Sequence, residues 1–567
     1  MTPHHPPEPP PRACGPRPDP RRPRARAAAR AASLGAALAA ALGAALAGGS
    51  RATRADPAGL PAIVFVSRAR PSVPGAVPGL GPGDRALAPG GRLVVREPDG
   101  AWRDLLPPGT LHDVSDPSVS PDARRVAFAG VTHPDSGWRL WVVGLDGAGL
   151  APLTRTPPAS GAEGAAPRVD DFDPTWVAEH ALVFASTRHA QRAQYGDAPV
   201  TNLFRLDLDT GALARLTAER NGAEEPWYDA ARDRVLFARW WFNRHRAAGA
   251  ARVAGDAPGL RSLAPGDAAA DEVNAWHVME ISPEGGAARL AAGDPAARRA
   301  GGGTQPAALA DGRVVAVFAR SGGLFPRAGT PGVHVFDRVA APGRRLLGPA
   351  LDAGEGYGSP AGLAAPGAHA PAPLPGGRLL VAWDPGGRGD YGVWLADPDR
   401  GALAPLADRD GTIETDPAPV VAWASRPRSA QRPPTLPARD PRDAAALAAL
   451  PTFRYQNADV FAGRGPARRD GARLRVYATL ARPGAAGGDS AVLLREAPVA
   501  RDGRVTVDLP AGVPLFEQLA GPDGVALAGP LGPAHVAGSN AGVPGGVSAC
   551  RGCHAGHSPR AAGARLR

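Results

Sequence analysis

Short runs of apolar residues, separated by turn-forming pairs, recur along the middle of the chain. Residues 140–143 are followed by Asp146-Gly147, and residues 203–206 are followed by Thr210-Gly211. Apolar or alternating runs that end at such pairs are typical of β-hairpins. The pattern therefore predicts an all-β fold built from antiparallel strands.

The runs are grouped into units, and most units open with a polar residue followed by a proline. In the unit that opens at Asp173-Pro174, a second apolar run follows at residues 182–188, and a hairpin follows at residues 203–217. The opening prolines are Pro117, Pro174, Pro226, Pro306, Pro360 and Pro417, at intervals of 57, 52, 80, 54 and 57 residues. Three or four strands per unit at a nearly constant period indicate a β-propeller.

The two ends of this repeat each lack what the other end supplies. Residues 63–68 resemble the second run of a unit but have no Asp-Pro segment before them, whereas no second run follows Asp416-Pro417. We expect residues 417–423 to form the inner strand of the blade that begins at residue 63, because this pairing closes the ring and removes an exposed sheet edge. The sequence thus predicts a six-bladed β-propeller over residues 57–425.

The interval of 80 residues marks an insertion in the fourth blade. The inserted stretch, at about residues 246–271, is rich in Ala, Gly and Arg. Its composition is compatible with a disordered loop and with a functional lid, and both interpretations stay open.

Charged residues recur near the predicted strand ends. Asp170, Asp171 and Asp173 form an acidic cluster, which is compatible with a cation site or with bonds to local backbone N–H groups, the commoner arrangement. An arginine follows the second run of several units, at Arg68, Arg188, Arg239 and Arg320. Repetition from blade to blade favours a structural role for these arginines.

A Pro-rich linker over residues 426–449 separates the propeller from a C-terminal region. Strands are expected there at residues 474–478, 491–494, 505–509 and 514–519. Residues 450–567 are therefore predicted to form a small β-rich domain.

The most specific motif of the chain lies in that region, at Cys550-Arg551-Gly552-Cys553-His554. Cys-x-x-Cys-His is the attachment pattern of c-type haem, in which both thiols bind the haem vinyl groups and the histidine is placed to bind iron. The chain has three cysteines in all, and the third is Cys14. We therefore predict one covalent haem c on Cys550 and Cys553, with His554 as an iron ligand.

The cysteine pair is also compatible with a disulfide that closes a small loop, with a zinc half-site and with a thioredoxin-like pair. A structural zinc site needs about four ligands, and no second cysteine pair is present to supply them. A thioredoxin-like pair opens a helix in a βαβ unit, a pattern that the residues near position 550 do not show. These three roles stay open beside the haem.

The N-terminal stretch predicts export. Residues 1–30 are rich in Pro and Arg, and an uncharged Ala/Leu run then ends at Ala45-Leu46-Ala47. A basic stretch, a short apolar core and small residues at the end characterise a secretory signal peptide, here residues 1–47. We expect a periplasmic or cell-surface protein with no integral membrane segment after cleavage, which agrees with the attachment of bacterial c-type haem outside the cytoplasm.

The charge of the chain does not indicate a nucleic-acid partner. The net charge is +10 and every basic residue is Arg, but residues 1–47 carry seven Arg against two acidic residues. About half of the excess charge is therefore expected to leave with the signal peptide. No basic block with interleaved aromatic residues supports nucleic-acid binding, and no phosphate-binding loop predicts a nucleotide cofactor.

The arrangement resembles bacterial proteins related to the hydrazine synthase alpha subunit. The stretches that carry the resemblance are residues 184–188 in the propeller and residues 502–510, 514–524 and 544–554 in the C-terminal region. The resemblance covers about residues 57–557, and its haem end is the most specific part. It implies a TolB-like propeller joined to a middle domain in which Cys550 and Cys553 bind haem and His554 is an axial or nearby metal ligand.

Two departures from that family limit what the resemblance implies. The chain stops thirteen residues after His554, without the further cytochrome-like domain of the synthase subunit, and no partner subunit is visible. We therefore expect an activity other than hydrazine synthesis.

Three functional hypotheses follow from the sequence. The first is an exported mono-haem protein that carries electrons or belongs to a redox complex, with the propeller as docking platform for a redox partner protein. The second is a non-enzymatic propeller binding module with a disulfide or a vestigial motif. The third is a haem enzyme acting on a small nitrogen compound or peroxide, which requires an open iron position. The sixth haem ligand separates the first from the third, and His557 and His535 are the candidates for it.

Overall fold

Six four-stranded antiparallel sheets follow one another between residues 63 and 419 of the described chain. The innermost strand of each sheet contacts the innermost strands of both neighbouring sheets, and the last sheet returns to the first. A closed ring of four-stranded sheets is a β-propeller, so the all-β propeller prediction is confirmed.

The structure is a computed structural model that describes residues 57–552 apart from several gaps. The gaps are 72–89, 156–167, 190–198, 220, 246–270, 294–301, 322–327, 338–342, 349–366, 428, 430–432, 438–440, 442, 463–466, 481–489, 526, 530–531, 534 and 537–541. The predicted signal peptide and almost all of the predicted insertion at residues 246–271 lie outside the described residues.

The first three blades occupy residues 63–215 and the strand that closes the ring. From the inside outward, blade 1 consists of β24 (Thr412–Pro419), β1 (Ile63–Ala69), β2 (Arg92–Arg96) and β3 (Trp102–Asp104). Blade 2 consists of β4 (Asp113–Val119), β5 (Arg125–Val131), β6 (Arg139–Gly144) and β7 (Ala151–Pro152). Blade 3 consists of β8 (Asp171–Ala178), β9 (Ala181–Ser186), β10 (Asn202–Asp207) and β11 (Leu213–Arg215).

The other three blades occupy residues 222–407. Blade 4 consists of β12 (Gly222–Asp229), β13 (Arg234–His245), β14 (Asp271–Ile281) and β15 (Arg289–Ala292). Blade 5 consists of β16 (Gly302–Ala308), β17 (Val314–Ser321), β18 (Ala328–Phe336) and β19 (Arg344–Leu347). Blade 6 consists of β20 (Gly367–Pro373), β21 (Leu379–Asp384), β22 (Gly392–Ala396) and β23 (Leu403–Ala407).

The ring closes by pairing β24 with β1, as the complementary ends of the repeat predict. Ile63 lies opposite Pro419 and Val64 opposite Ala418 in an antiparallel register. The strand occupies residues 412–419, however, and not the predicted 417–423. Val420 N still donates to Ala62 O, next to Ile63, which extends the pairing by one bond. Trp423 N donates instead to Pro121 O in blade 2, so the chain has left the sheet by that residue.

The assignment of Pro360 to the opening of blade 6 is wrong. The inner strand of that blade is β20, where a register shift between His369 and Ala372 places Ala370-Pro371 at the repeat position. Pro360 itself lies outside the described residues. The spacing misled the prediction because residues 359–375 contain several prolines, and the one at the expected interval is not the one in the strand.

Aromatic residues of the second strands fill the spaces between the sheets. Phe65, Phe128, Phe184 and Phe237 occupy corresponding positions in blades 1 to 4, and all four are fully buried. Strands buried on both faces read as nearly continuous apolar runs, which is why β1, β9 and β13 were recognisable in the sequence. Removing one such ring typically lowers the free energy of unfolding by about 3–5 kcal/mol.

A second group of sheets follows the propeller, between residues 452 and 550, and surrounds a core of its own. We call it the C-terminal β region. Its elements are α1 (Ala444–Ala448), β25 (Thr452–Asn457), β26 (Arg473–Leu480), β27 (Ser490–Pro498), β28 (Val505–Pro510), β29 (Leu515–Ala520), β30 (Ala528–Gly529), β31 (Gly532–Pro533), β32 (His535–Val536) and β33 (Val547–Cys550). The sheets have the orders β28-β25-β33, β27-β26-β29-β32 and β30-β31.

The segment between the propeller and the C-terminal β region crosses one face of the ring. After Trp423, Ser425 accepts a hydrogen bond from Glu179 N in blade 3, and the Arg426 guanidinium pairs with Glu284 of blade 4 at 3.0 Å. We call residues 420–427 the exit segment. It ties four consecutive blades together before the chain reaches α1, whose N-cap is Asp443.

Candidate functional sites

The inner strands share one position that faces the axis of the ring and that carries a polar residue in five of the six blades. It is occupied by the residue before each repeat proline, and in all six blades its φ lies between 46° and 55°. The six residues are Asp116, Asp173, Glu225, Gln305, Ala370 and Asp416. This left-handed conformation is uncommon outside glycine. A register shift accompanies it in every inner strand, so each blade has a β-bulge at this position.

Side chains at this position join blades 2 to 6 in series, each to the next. Asp173 N donates to Asp116 Oδ2 at 3.4 Å, and Glu225 N donates to Asp173 Oδ2 at 3.0 Å. Gln305 N donates to the Glu225 carboxylate, and Ala370 N donates to Gln305 Oε1 at 2.7 Å. Because Ala370 carries no side-chain acceptor, it cannot continue this series toward blade 1. The prolines were visible in the sequence, whereas the acceptor role of the residues before them was missed.

A cavity of about 500 Å³ is lined in part by these six residues. Its wall contains the six repeat prolines and the aromatic residues Trp176, Trp227, Tyr228 and Trp423. Trp423 belongs to the exit segment, and its ring lies 5.4 Å from that of Tyr228. The described residues that line the cavity include five carboxylates and no arginine. Its size and its mixed apolar and acidic lining suit a small ligand or an inserted side chain.

Cys550 is placed by two strands of the C-terminal β region. It ends β33, which runs parallel to β25 with Cys550 opposite Asn457. Ala458 N donates to Cys550 O at 3.0 Å, so the backbone on both sides of the cysteine is held. The other members of the predicted site, Cys553, His554 and His557, lie outside the described residues.

The Cys550 side chain points toward a buried tyrosine. Its Sγ donates to Tyr455 Oη at 3.1 Å, and Tyr455 Oη donates to Glu517 Oε2 at 2.9 Å. Tyr455 is fully buried and Glu517 nearly so. Burial raises the pKa of the Cys550 thiol, and the Glu517 charge adds to the increase, while the hydrogen bond with Tyr455 opposes it.

The chemistry of the motif and the position of Cys550 would suit a covalent haem. Cys550 is half-buried and packs against the apolar core of the C-terminal β region, as a thioether at the edge of a hydrophobic macrocycle requires. Cys550 and Cys553 would hold the vinyl groups, and His554 would bind the iron. When bound, such a group supplies a one-electron redox couple.

His535, the second candidate for a sixth ligand, lies in β32. Its backbone is opposite Gln518 of β29, one residue from Glu517. The next residue of β32, Val536, lies opposite Glu517, which is the hydrogen-bond partner of Tyr455.

The acidic cluster at residues 170–173 bonds to groups of its own blade and of both neighbouring blades. Asp170 Oδ1 accepts from Trp138 N at 2.9 Å, and Asp171 forms a bidentate pair with Arg188 at 2.7 Å. Asp173 accepts from Glu225 N, as described above. Among the described residues no group of three or more His, Cys, Asp or Glu is arranged to hold a metal ion. The carboxylates thus bond to other groups of the protein, but the backbone donors are Trp138 and Glu225, which are 32 and 52 positions away and not the neighbouring residues that the sequence led us to expect.

The recurring arginines have structural partners. Arg68 pairs with Asp113 of the next blade at 3.4 Å, and Arg239 pairs with Glu219 at 2.9 Å. Arg188 binds Asp171 within its own blade. The structural role predicted for this position is therefore confirmed at three blades. The structure does not describe the side chain of Arg320.

In the described part of the chain, no helix is both long enough and apolar enough to cross a bilayer.

Comparison with known proteins gives a likeness in fold. No protein-family model matches the sequence. No curated protein matches it either. Hydrazine synthase of Kuenenia stuttgartiensis superimposes with a TM-score of 0.60 at 16% identity, over 89% of this chain and 71% of the other. The resemblance predicted from the sequence is thereby supported as a likeness of fold. Because the alignment covers 89% of this chain, the likeness extends beyond the propeller.

Two TolB structures align over a smaller share of the chain. TolB of Acinetobacter baumannii aligns at 13% identity with a TM-score of 0.35, over 63% of this chain and 66% of the other. A putative TolB of Agrobacterium tumefaciens aligns at 12% identity with a TM-score of 0.29, over 64% of this chain and 93% of the other.

Proposed function

We propose that this chain is an exported mono-haem c-type protein that transfers electrons or belongs to a redox complex, with the propeller as docking platform for a redox partner protein. The observation that carries the proposal is the motif Cys550-x-x-Cys553-His554. Its first cysteine ends a strand at the boundary of an apolar core, where backbone bonds hold it in place.

The haem is tested by expressing the protein in a host with the cytochrome c maturation machinery. The expected result is a red protein whose haem stays on the chain in a denaturing gel and gives a pyridine haemochrome spectrum. Cys550→Ala and Cys553→Ala are each expected to weaken or remove covalent haem while the propeller stays folded, because the motif lies outside the ring. His554→Ala is expected to keep covalent haem but to change its spectrum.

A colourless wild-type protein from that host, in which thiol counting finds Cys550 and Cys553 oxidised to a disulfide, would overturn the proposal. The alternative is then a non-enzymatic propeller binding module. The central cavity supports this alternative, since a lined cavity at the axis of the ring offers a binding site that needs no haem.

Export is the second part of the proposal and has its own test. Mass spectrometry of protein recovered from the periplasm is expected to show a mature N-terminus near residue 48. A cytoplasmic protein that still begins at Met1 would contradict export, and it would also count against the haem, whose attachment follows export.

A further inference from the structure

A cluster of polar side chains lies buried under the Cys550 end of β33, within an otherwise apolar core. Its members are Tyr455 and Asn457 on β25 and Glu517 on β29, each with an exposed fraction of 3% or less. Polar groups in a core stabilise it only when their hydrogen bonds are made. Apolar side chains at all three positions would fill the core equally well. The role of the polar side chains therefore has to be inferred from the groups to which they bond.

The hydrogen bonds of the cluster converge on the first half of the Cys-x-x-Cys motif. Tyr455 Oη binds Cys550 Sγ, and Asn457 Nδ2 donates both to Tyr455 Oη at 3.1 Å and to Gly552 O at 3.0 Å. Gly552 N donates to Asp459 O at 2.9 Å. The sulfur of Cys550 and both backbone groups of Gly552 therefore bond to residues that lie in β25 or within two positions of its end.

Glu517 adds charge to this geometry. Its carboxylate accepts a hydrogen bond from the Tyr455 hydroxyl, with 2.9 Å between the oxygens, and only that hydroxyl lies between it and Cys550 Sγ in the series of hydrogen bonds. Charges act on one another more strongly in a protein interior than in water, because the effective dielectric constant is lower. A buried carboxylate at this place acts on whatever Cys550 carries.

We propose that Tyr455, Asn457 and Glu517 are positioning residues for the haem group: before attachment Tyr455 accepts the hydrogen bond of the Cys550 thiol and so sets the direction of the sulfur, Asn457 holds Gly552, and after attachment Glu517 would hold negative charge beside the thioether. This inference rests on the proposed function. Reduction adds an electron to the haem, and a nearby negative charge opposes it. Glu517 therefore lowers the reduction potential of the group.

The first experiment uses haem-free protein, made without the maturation machinery and kept reduced. The rate of Cys550 alkylation by iodoacetamide is measured against pH, and trypsin cleavage after Arg551 places Cys550 and Cys553 in different peptides for mass spectrometry. Glu517→Gln is expected to shift the Cys550 profile to lower pH, because a negative charge near the thiolate is lost. Tyr455→Phe is expected to shift it to higher pH, because the hydroxyl that bonds to Glu517, and that has to turn from it to donate to the thiolate, is lost.

Opposite shifts distinguish positioning from a general loosening of the core, which would accelerate alkylation in both variants. Tyr477→Phe is the matched control: Tyr477 is a buried tyrosine of β26 that lies opposite Leu493 and Phe516 in its sheet. It is expected to leave the profile unchanged. Shifts of the same sign in Tyr455→Phe and Glu517→Gln would overturn the proposal, whether or not the protein carries haem.

The second experiment measures the midpoint potential of haem-loaded protein. Glu517→Gln is expected to raise it, since glutamine keeps an acceptor for Tyr455 but removes the charge. Glu496→Gln is the control for charge, because Glu496 lies on the surface of the same region and pairs with Arg473 and Arg475. Equal potentials in these two variants would overturn the electrostatic part. Absence of haem in the wild type would instead overturn the proposed function and leave the alkylation test standing.

Discussion

Glu225 N donates to the Asp173 carboxylate at 3.0 Å, which joins blade 4 to blade 3 at the axis of the ring. The same bond recurs between blades 2 and 3, 4 and 5, and 5 and 6. In each case the donor is the backbone of a residue in the left-handed conformation, and the acceptor is a side chain of the preceding blade. The blades are thus cross-linked by groups that take no part in their own sheets.

Asp173→Ala is expected to lower the free energy of unfolding by about 1–3 kcal/mol, because a buried backbone N–H loses its acceptor. Asp173→Asn is expected to lower it less, since asparagine keeps an acceptor and tolerates positive φ. Urea denaturation measures both variants. Asp135→Ala, at a side chain that is 93% exposed, serves as control, and an Asp173→Ala protein as stable as this control would contradict the prediction.

The carboxyl of Glu414 makes ring closure dependent on pH. Glu414 is fully buried in β24, and burial raises its pKa although Thr412 and Ser67 donate hydrogen bonds to it. A raised carboxyl pKa means that the folded state favours the protonated form, so stability is lost as pH rises above the ordinary value of about 4.3. The melting temperature of Glu414→Gln relative to wild type is expected to increase as pH rises from about 4 through the raised pKa of Glu414, and then to stay level. A constant difference over that range would contradict this.

His369 has the opposite dependence. It is fully buried against Tyr391, with ring centroids 4.7 Å apart, and burial lowers its pKa to about 3. The folded state therefore favours the neutral ring, and stability is lost as pH falls from about 6.5 toward 3. His369→Phe is expected to unfold at lower pH than wild type in an acid titration followed by tryptophan fluorescence. His133→Phe, at an exposed loop position, is expected to match wild type, and equal midpoints for all three proteins would refute the prediction.

Arg215 joins the propeller to the C-terminal β region. Its guanidinium donates to Pro437 O and to Gly512 O, both at 2.9 Å, and the residue is buried. Arg215→Ala is expected to lower stability by about 1.5–3 kcal/mol, since a charged donor to two carbonyls is lost. Limited proteolysis is expected to cut faster between residues 427 and 443. Arg92→Ala, which removes an exposed pair with Asp104, should change stability by about 0–1 kcal/mol, and equal effects of the two substitutions would contradict this role.

The propeller was predictable because its evidence is local and repeated. Strands such as β9 and β13 are recognisable as continuous apolar runs. The unit that begins at Ile63 lacks an inner strand, and the segment at Asp416 lacks the strands that would follow it, so the two ends are expected to pair. The exact bounds of β24 were not predictable, because the sequence does not show that Trp423 N bonds to Pro121 O of blade 2 and not to the strand beside β24. Pro360 was mistaken for Pro371 because proline spacing alone does not show which proline lies in a strand.

The haem motif was predictable because its residues are adjacent in the sequence. The cluster beneath it was not, because Tyr455 lies 95 residues before Cys550 and 62 residues before Glu517. Nothing in a single sequence indicates that these three side chains meet, since each lies on a strand of unremarkable composition. The strands β25 and β33 were missed for a related reason: β33 is short and pairs in parallel with a strand that is distant in the chain.

The pairing of β1 with β24 also sets the order in which the molecule is able to fold. Ser67 and Glu414, which bond across this pair, are 347 residues apart, so the first blade has to wait for nearly the whole ring to be synthesised. Contacts between such distant residues slow folding, and the unpaired edge of β1 invites association with other chains meanwhile. The Cys-x-x-Cys-His motif is synthesised only after the closing strand, so a chain that carries the complete motif already contains everything the ring needs to shut.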